Sequence, residues 1–159
     1  MKKIGYLFTG FVAGILLITL LGSALVYDST FLVEESKYGF NETIDRIEAL
    51  GKERKWTVSH MYNLQATMER NQMEVNPVVV MSLCKPTIAF KVLSADRERP
   101  VSALMPCRVS VYETEEGKIM VSRIKSGIIE SMLSGVSRSA MAEASNEIEE
   151  ILEMVTRKN

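Results

Sequence analysis

The chain predicts an α+β fold, an antiparallel sheet covered by helices on one side, and three observations carry the prediction. Short segments alternate apolar and polar residues at strand spacing. Longer segments repeat apolar residues every third and fourth position. Their order along the chain is strand, helix, several strands, helix. Ahead of them stands a run of another kind. Ile4 to Val26 carry no charge and are almost all apolar, long enough to cross a bilayer as a helix. The expected organisation is an N-terminal transmembrane helix within residues 1–27 and a folded domain over 28–159.

Charge orients this expected anchor. Lys2 and Lys3 precede the run, and Asp28, Glu34 and Glu35 follow it, so the positive-inside rule places the N-terminus in the cytoplasm. The domain is then periplasmic or extracellular. The rival is a cleaved signal peptide with Gly22-Ser23-Ala24 as the cleavage site. The run exceeds the usual signal core of roughly 7–15 residues, which favours the anchor. Gly10 and Gly14 form a G-x-x-x-G pattern, a feature of low specificity in membrane helices. The domain keeps all 20 acidic residues and 17 of the 19 cations, a net charge near −3. A nucleic-acid partner is not expected, because such a partner demands a basic footprint.

Each element has a local warrant. Thr30 to Glu35 is β-branched and aromatic and reads as a strand. Asn41 is an expected N-cap, and Phe40, Ile44, Ile47, Leu50 and Arg54 make a helix face to about Lys55. Trp56, Val58, His60, Tyr62 and Leu64 alternate as one face of a second strand. A short helix over Gln65 to Asn71 ends before Asn76-Pro77. Pro77 to Leu83 is a continuous apolar run, a strand buried on both faces.

Pro86 suits a helix first turn, so a helix runs from there to about Ser94, with a charged loop over Arg97 to Ser102. Val109 and Val111 mark a strand, Glu115-Glu116-Gly117 a hairpin turn, and Lys118 to Ile124 the returning strand. A short apolar helix follows to Leu133. Ser137 is expected to cap a long last helix with Met141, Ala144, Ile148, Ile151 and Val155 on its buried stripe. Glu143, Glu147, Glu150 and Glu153 form its wet side.

Chemistry gathers between Leu83 and Lys118. Cys84 and Cys107 are the two cysteines, each followed by a cation, Lys85 and Arg108, and Pro86, Pro100 and Pro106 lie in the same stretch. Cys84, Lys85, Pro106, Cys107 and Arg108 are the candidate thiol or ligand site. Positive charge and a helix N-terminus both favour the thiolate. A soft-metal or haem-type site would add His60, Met81 or Met105, but two cysteines and one histidine make no recognised metal spacing. His60 reads more simply as a hydrogen-bonded core residue, and the ten methionines as adaptable filling. There is no phosphate loop, no H-E-x-x-H and no nucleophile elbow, so no catalytic set is assigned.

The pairing of LCKPTIAFKVLSAD with MPCRVSVYETEEGKIMVSR resembles the domain-of-unknown-function 302 family, over about Tyr38 to Val155. More narrowly it resembles exported or membrane-anchored members with a cysteine at each of these two places. The strongest motif is Met105-Pro106-Cys107-Arg108 leading through Tyr112 to Gly117-Lys118. The resemblance implies a TATA-box-binding-protein-like α+β fold, often paired into homodimers, and no reaction. After the hairpin this subgroup has Met-Asn, where this chain has Ile124-Lys125, so no role of that asparagine carries over.

The antiparallel family fold also implies that Cys84 and Cys107 come within disulfide reach. Three readings then stand open: a structural disulfide worth about 2–4 kcal/mol, a redox-active or sulfur-handling thiol pair, and a metal site. The functional expectation is an extracytoplasmic domain binding a small ligand, metal or partner near the cysteines, with thiol-redox chemistry or a disulfide-stapled dimerising module as alternatives.

Overall fold

The computed structural model describes residues 30–105 and 107–157. The sheet is five-stranded: β1 (Phe31–Glu35), β2 (Thr57–Asn63), β3 (Val78–Cys84), β4 (Cys107–Glu113) and β5 (Ile119–Ile124), in the order β1-β5-β4-β3-β2, antiparallel throughout. The helices are α1 (Phe40–Glu53), α2 (Leu64–Glu69), α3 (Pro86–Leu93), α4 (Ser126–Met132) and α5 (Gly135–Val155), with a 3-10 turn at Arg99–Leu104. The α+β architecture is as the sequence predicts.

The core lies between one sheet face and a helix layer. Val79, Met81 and Leu83 of β3, Val109 and Val111 of β4 and Val121 of β5 meet Ile47 of α1, Val92 of α3 and Ile148, Ile151 and Leu152 of α5. Every second strand residue points inward, so register fixes which side chains are wet. Residues of the opposite parity form a second face that no helix of the core covers, with Val80 half-buried and Phe31 and Tyr62 exposed.

Several expectations are corrected. Ile4 to Val26 lie outside the described residues, and among the described residues no helix is long and apolar enough to cross a membrane. The transmembrane helix, the membrane partner and the single-pass topology placing the domain periplasmic or extracellular therefore find no support in the structure. The TATA-box-binding-protein-like arrangement is also replaced. Successive strands are interrupted by helices, α2 between β2 and β3, and α3 with the 3-10 turn between β3 and β4.

Locally, a bulge shifts the β2–β3 register between Val58 and His60, with the Ser59 hydroxyl donating to Ser82 O at 3.1 Å. Val58 stays opposite inward Leu83, while His60 and Tyr62 turn to the uncovered face opposite Ser82 and Val80. His60 is exposed, not in the core. The last helix begins earlier than its expected cap. Its N-cap is Ser134, and buried Ser137 instead donates to the Glu98 carboxylate.

Candidate functional site

The β3–β4 pairing brings the two cysteines to one end of the sheet. Leu83, not Cys84, stands opposite Cys107, so the two cysteines are one step out of register and of opposite parity. Both are free thiols, which corrects the expected disulfide. They border a void of about 20 Å³ with Trp56, Ile88, Val92, Met105 and Met141, room for one water at most.

Nor is the Cys107 thiol activated. Burial, seconded by the neighbouring Cys84, pushes the Cys107 thiol up from 9.0 to about 11. The two expected activating cations serve other partners. Lys85 Nζ sits 2.7 and 2.5 Å from the two Glu147 oxygens, and Trp56 Nε1 donates to the same carboxylate at 2.8 Å. The Arg108 guanidinium lies on the uncovered face, 5.0 Å from the Tyr62 ring centroid. Burial raises the Glu147 carboxyl, but the hydrogen bonds from Lys85 and Trp56 outweigh it and hold it below the ordinary carboxylate range. Glu147 is thus a structural anchor rather than part of a merely wet helix side.

The metal reading fails on the same geometry. Among the described residues no group of three or more His, Cys, Asp or Glu side chains converges. Met81 is fully buried in the core, Met105 borders the small void, and His60 stands on the other sheet face. Pro106 lies outside the described residues. A thiol-redox or metal centre at Cys84 and Cys107 is therefore set aside.

A larger cavity opens beside Cys107. The β4–β5 register ends at Ser110↔Ser122; beyond it β4 continues along β3 and β5 along β1. The two strands part like a fork, and α4, α5 and the 3-10 turn enclose the gap. Its open volume is about 240 Å³, lined by Leu104, Cys107, Ile129, Met141 and Ile148, with Ser145, Arg123 and Glu149 as polar wall and Arg108 at its margin. A depression of about 490 Å³ elsewhere is bordered mainly by charges, among them Glu53, Arg54, Lys55 and Glu150. The fork, by contrast, offers a mainly apolar interior with a few converging polar groups.

The polar wall is a buried ion triad. Arg123 is 5% exposed. Its Nε donates to Glu149 Oε1 at 2.9 Å, its Nη2 bonds Glu149 Oε2, and its Nη1 lies 2.8 Å from Glu34 Oε2 without hydrogen-bond alignment. Burial works against the charge, but the two carboxylates overcome it and raise the guanidinium further. Thr156 Oγ1 donates to Glu34 Oε2 at 3.1 Å, completing a tie from β5 to β1 and α5. The sequence reading passed over this triad, although its signal is present. Arg123 continues the inward parity of Ile119 and Val121, a charge where an apolar residue is due.

Fold and cavity together define a small antiparallel α+β domain with a partly open, mainly apolar pocket. The family profile "Domain of unknown function DUF302" matches residues 32–158. This chain belongs to that family. It is similar to the "Crystal structure of uncharacterized conserved protein DUF302 from Bacillus stearothermophilus", at 21% identity and a TM-score of 0.69, over 77% of this chain and 95% of that one. That likeness shows the fold, and it is the finding that replaces the TATA-box-binding-protein-like assignment. No curated protein matches the chain.

Proposed function

We propose that the domain is a small-molecule-binding module whose ligand enters the fork between β4 and β5. The supporting observation is the cavity of about 240 Å³ with apolar walls and the Arg123–Glu149 pair at its edge. An apolar cavity of about 150 Å³ is enough to hold benzene, so this one suits a larger compact body. Cys107, the sulfur in its wall, is held protonated by burial and supplies packing rather than chemistry.

Indole and cyclohexanol are suitable probes, each an apolar body with one polar group. A ligand that binds only the folded state at a hundredfold excess over its Kd stabilises by about 2.7 kcal/mol, a rise of several degrees in Tm. That rise is expected for the full chain with at least one probe. Ser145→Phe, which fills the cavity from α5, and Ala103→Leu, which narrows it from the 3-10 turn, abolish the rise. No shift with the unmodified chain, or an equal shift in both variants, sinks the reading.

A further inference from the structure

The uncovered sheet face carries a second cluster, which meets the fork at Arg108. On it β3 presents Ser82 between two cross-strand neighbours, His60 of β2 and Arg108 of β4. Ser82 is 2% exposed, and its hydroxyl has no hydrogen-bond partner. A buried hydroxyl left unmatched is costly, and native proteins seldom carry one without a use. Arg108 is exposed, and among the described residues no carboxylate pairs with it. Its guanidinium rests over Tyr62, whose ring stacks with His60 at 5.4 Å between centroids.

The electrostatics of the face reinforce the cluster. By parity its described strand positions include one acid, Glu35, at the far edge and tied to Arg157 at 2.7 Å. An unneutralised guanidinium on an acid-poor face is unusual in a chain of net charge −1. We infer that Arg108, His60 and Ser82 form an anion-binding site for a phosphate or carboxylate group carried on an aromatic body. Arg108 supplies the charge and paired N–H donors that such a group accepts. Ser82 supplies a hydroxyl donor, and the Tyr62 and His60 rings flank the aromatic part. Among the described residues Arg108 is tethered by its ring contact and by no ion pair, so it can swing aside and admit the anion to Ser82.

Phenyl phosphate, benzoate and inorganic phosphate, titrated into the full chain and followed by NMR, test the site and separate its two anion chemistries. Saturable binding of phenyl phosphate or benzoate, tighter than inorganic phosphate and weakened by salt, is expected, with shifts on the Tyr62 ring. Arg108→Met weakens it about tenfold or more, and Ser82→Ala about threefold. A merely structural Ser82 predicts something else: Ser82→Ala would then leave affinity unchanged. The inference is overturned if none of the three anions saturates, or if Arg108→Met binds as the unmodified chain does. Unchanged Trp56 fluorescence in both variants confirms that the fold is retained.

Discussion

Cys107 shows how one residue's surroundings decide its chemistry. Its neighbour in sequence is a cation, but the Arg108 side chain projects to the opposite sheet face, and Cys107 is left among Leu83, Met105 and Met141. With its pKa at about 11, it is almost wholly protonated at pH 8. Alkylation of Cys107 by iodoacetamide at that pH is expected to run about a hundredfold slower in the folded chain than in urea, because the thiolate is the reactive form. Equal rates would show an accessible, unperturbed thiol. The same shift has a stability consequence. Its contribution is fully present below pH 9 and is lost as pH rises toward 11, since the unfolded thiol then ionises first.

Trp56 and Glu147 give a second residue-scale prediction of opposite sign. Trp56 is the sole tryptophan, so tryptophan emission comes from this position alone. Glu147 titrates below the ordinary carboxylate value, so its contribution is present above that value and lost as pH falls through the lowered pKa. Trp56 emission should therefore change in an acid step. In Glu147→Gln that step is absent, and if it persists unaltered the Trp56–Glu147 bond is not its source.

At the scale of elements, the ion triad ties β5 to β1 and α5. Removing only the cation strands two carboxylates in a largely buried setting, so Arg123→Met should cost about 3–5 kcal/mol in urea unfolding. Adding Glu34→Gln and Glu149→Gln should restore most of that loss, because the penalty comes from unpaired charge. A triple variant no more stable than Arg123→Met would assign the loss to packing instead. Elements were legible where period and propensity agreed. Pro86 does open α3, with Lys85 extended before it, and the Glu115–Gly117 turn has Gly117 at φ +76. The second strand was misread past Val58, because a bulge adds a residue without any mark in the apolar–polar pattern. The start of α5 was misread because Ser134 and Ser137 are the same residue type, and only tertiary contact with Glu98 separates their roles.

Over the whole molecule, the layered α+β plan followed from element order, and one wrong turn followed from reasoning about neighbours in sequence. Cys84-Lys85 and Cys107-Arg108 looked like activated thiols, but within β4 adjacent side chains go to opposite faces, which parts Arg108 from Cys107. Lys85 caps α3 just past the end of β3 and is taken up by Glu147. The fork was not legible at all. It depends on where two strands cease to pair, and in sequence β4 and β5 look like an ordinary hairpin carried to full length.

That parting also sets how the domain would bear tension. Past Ser122, β5 is held along one side alone, by β1, whose first rung is Phe31↔Ile124. A pull on the chain ahead of residue 30 loads the Lys125 N–H bond to Thr30 O first and then opens the β1–β5 seam one rung at a time, like a zip, rather than shearing all its rungs together. The next rungs to go free Ile124 and Arg123 from the strand that braces them. The pocket wall is therefore the earliest part of the sheet to yield, so a ligand lodged between β4 and β5 is released while the β2–β3–β4 half still stands.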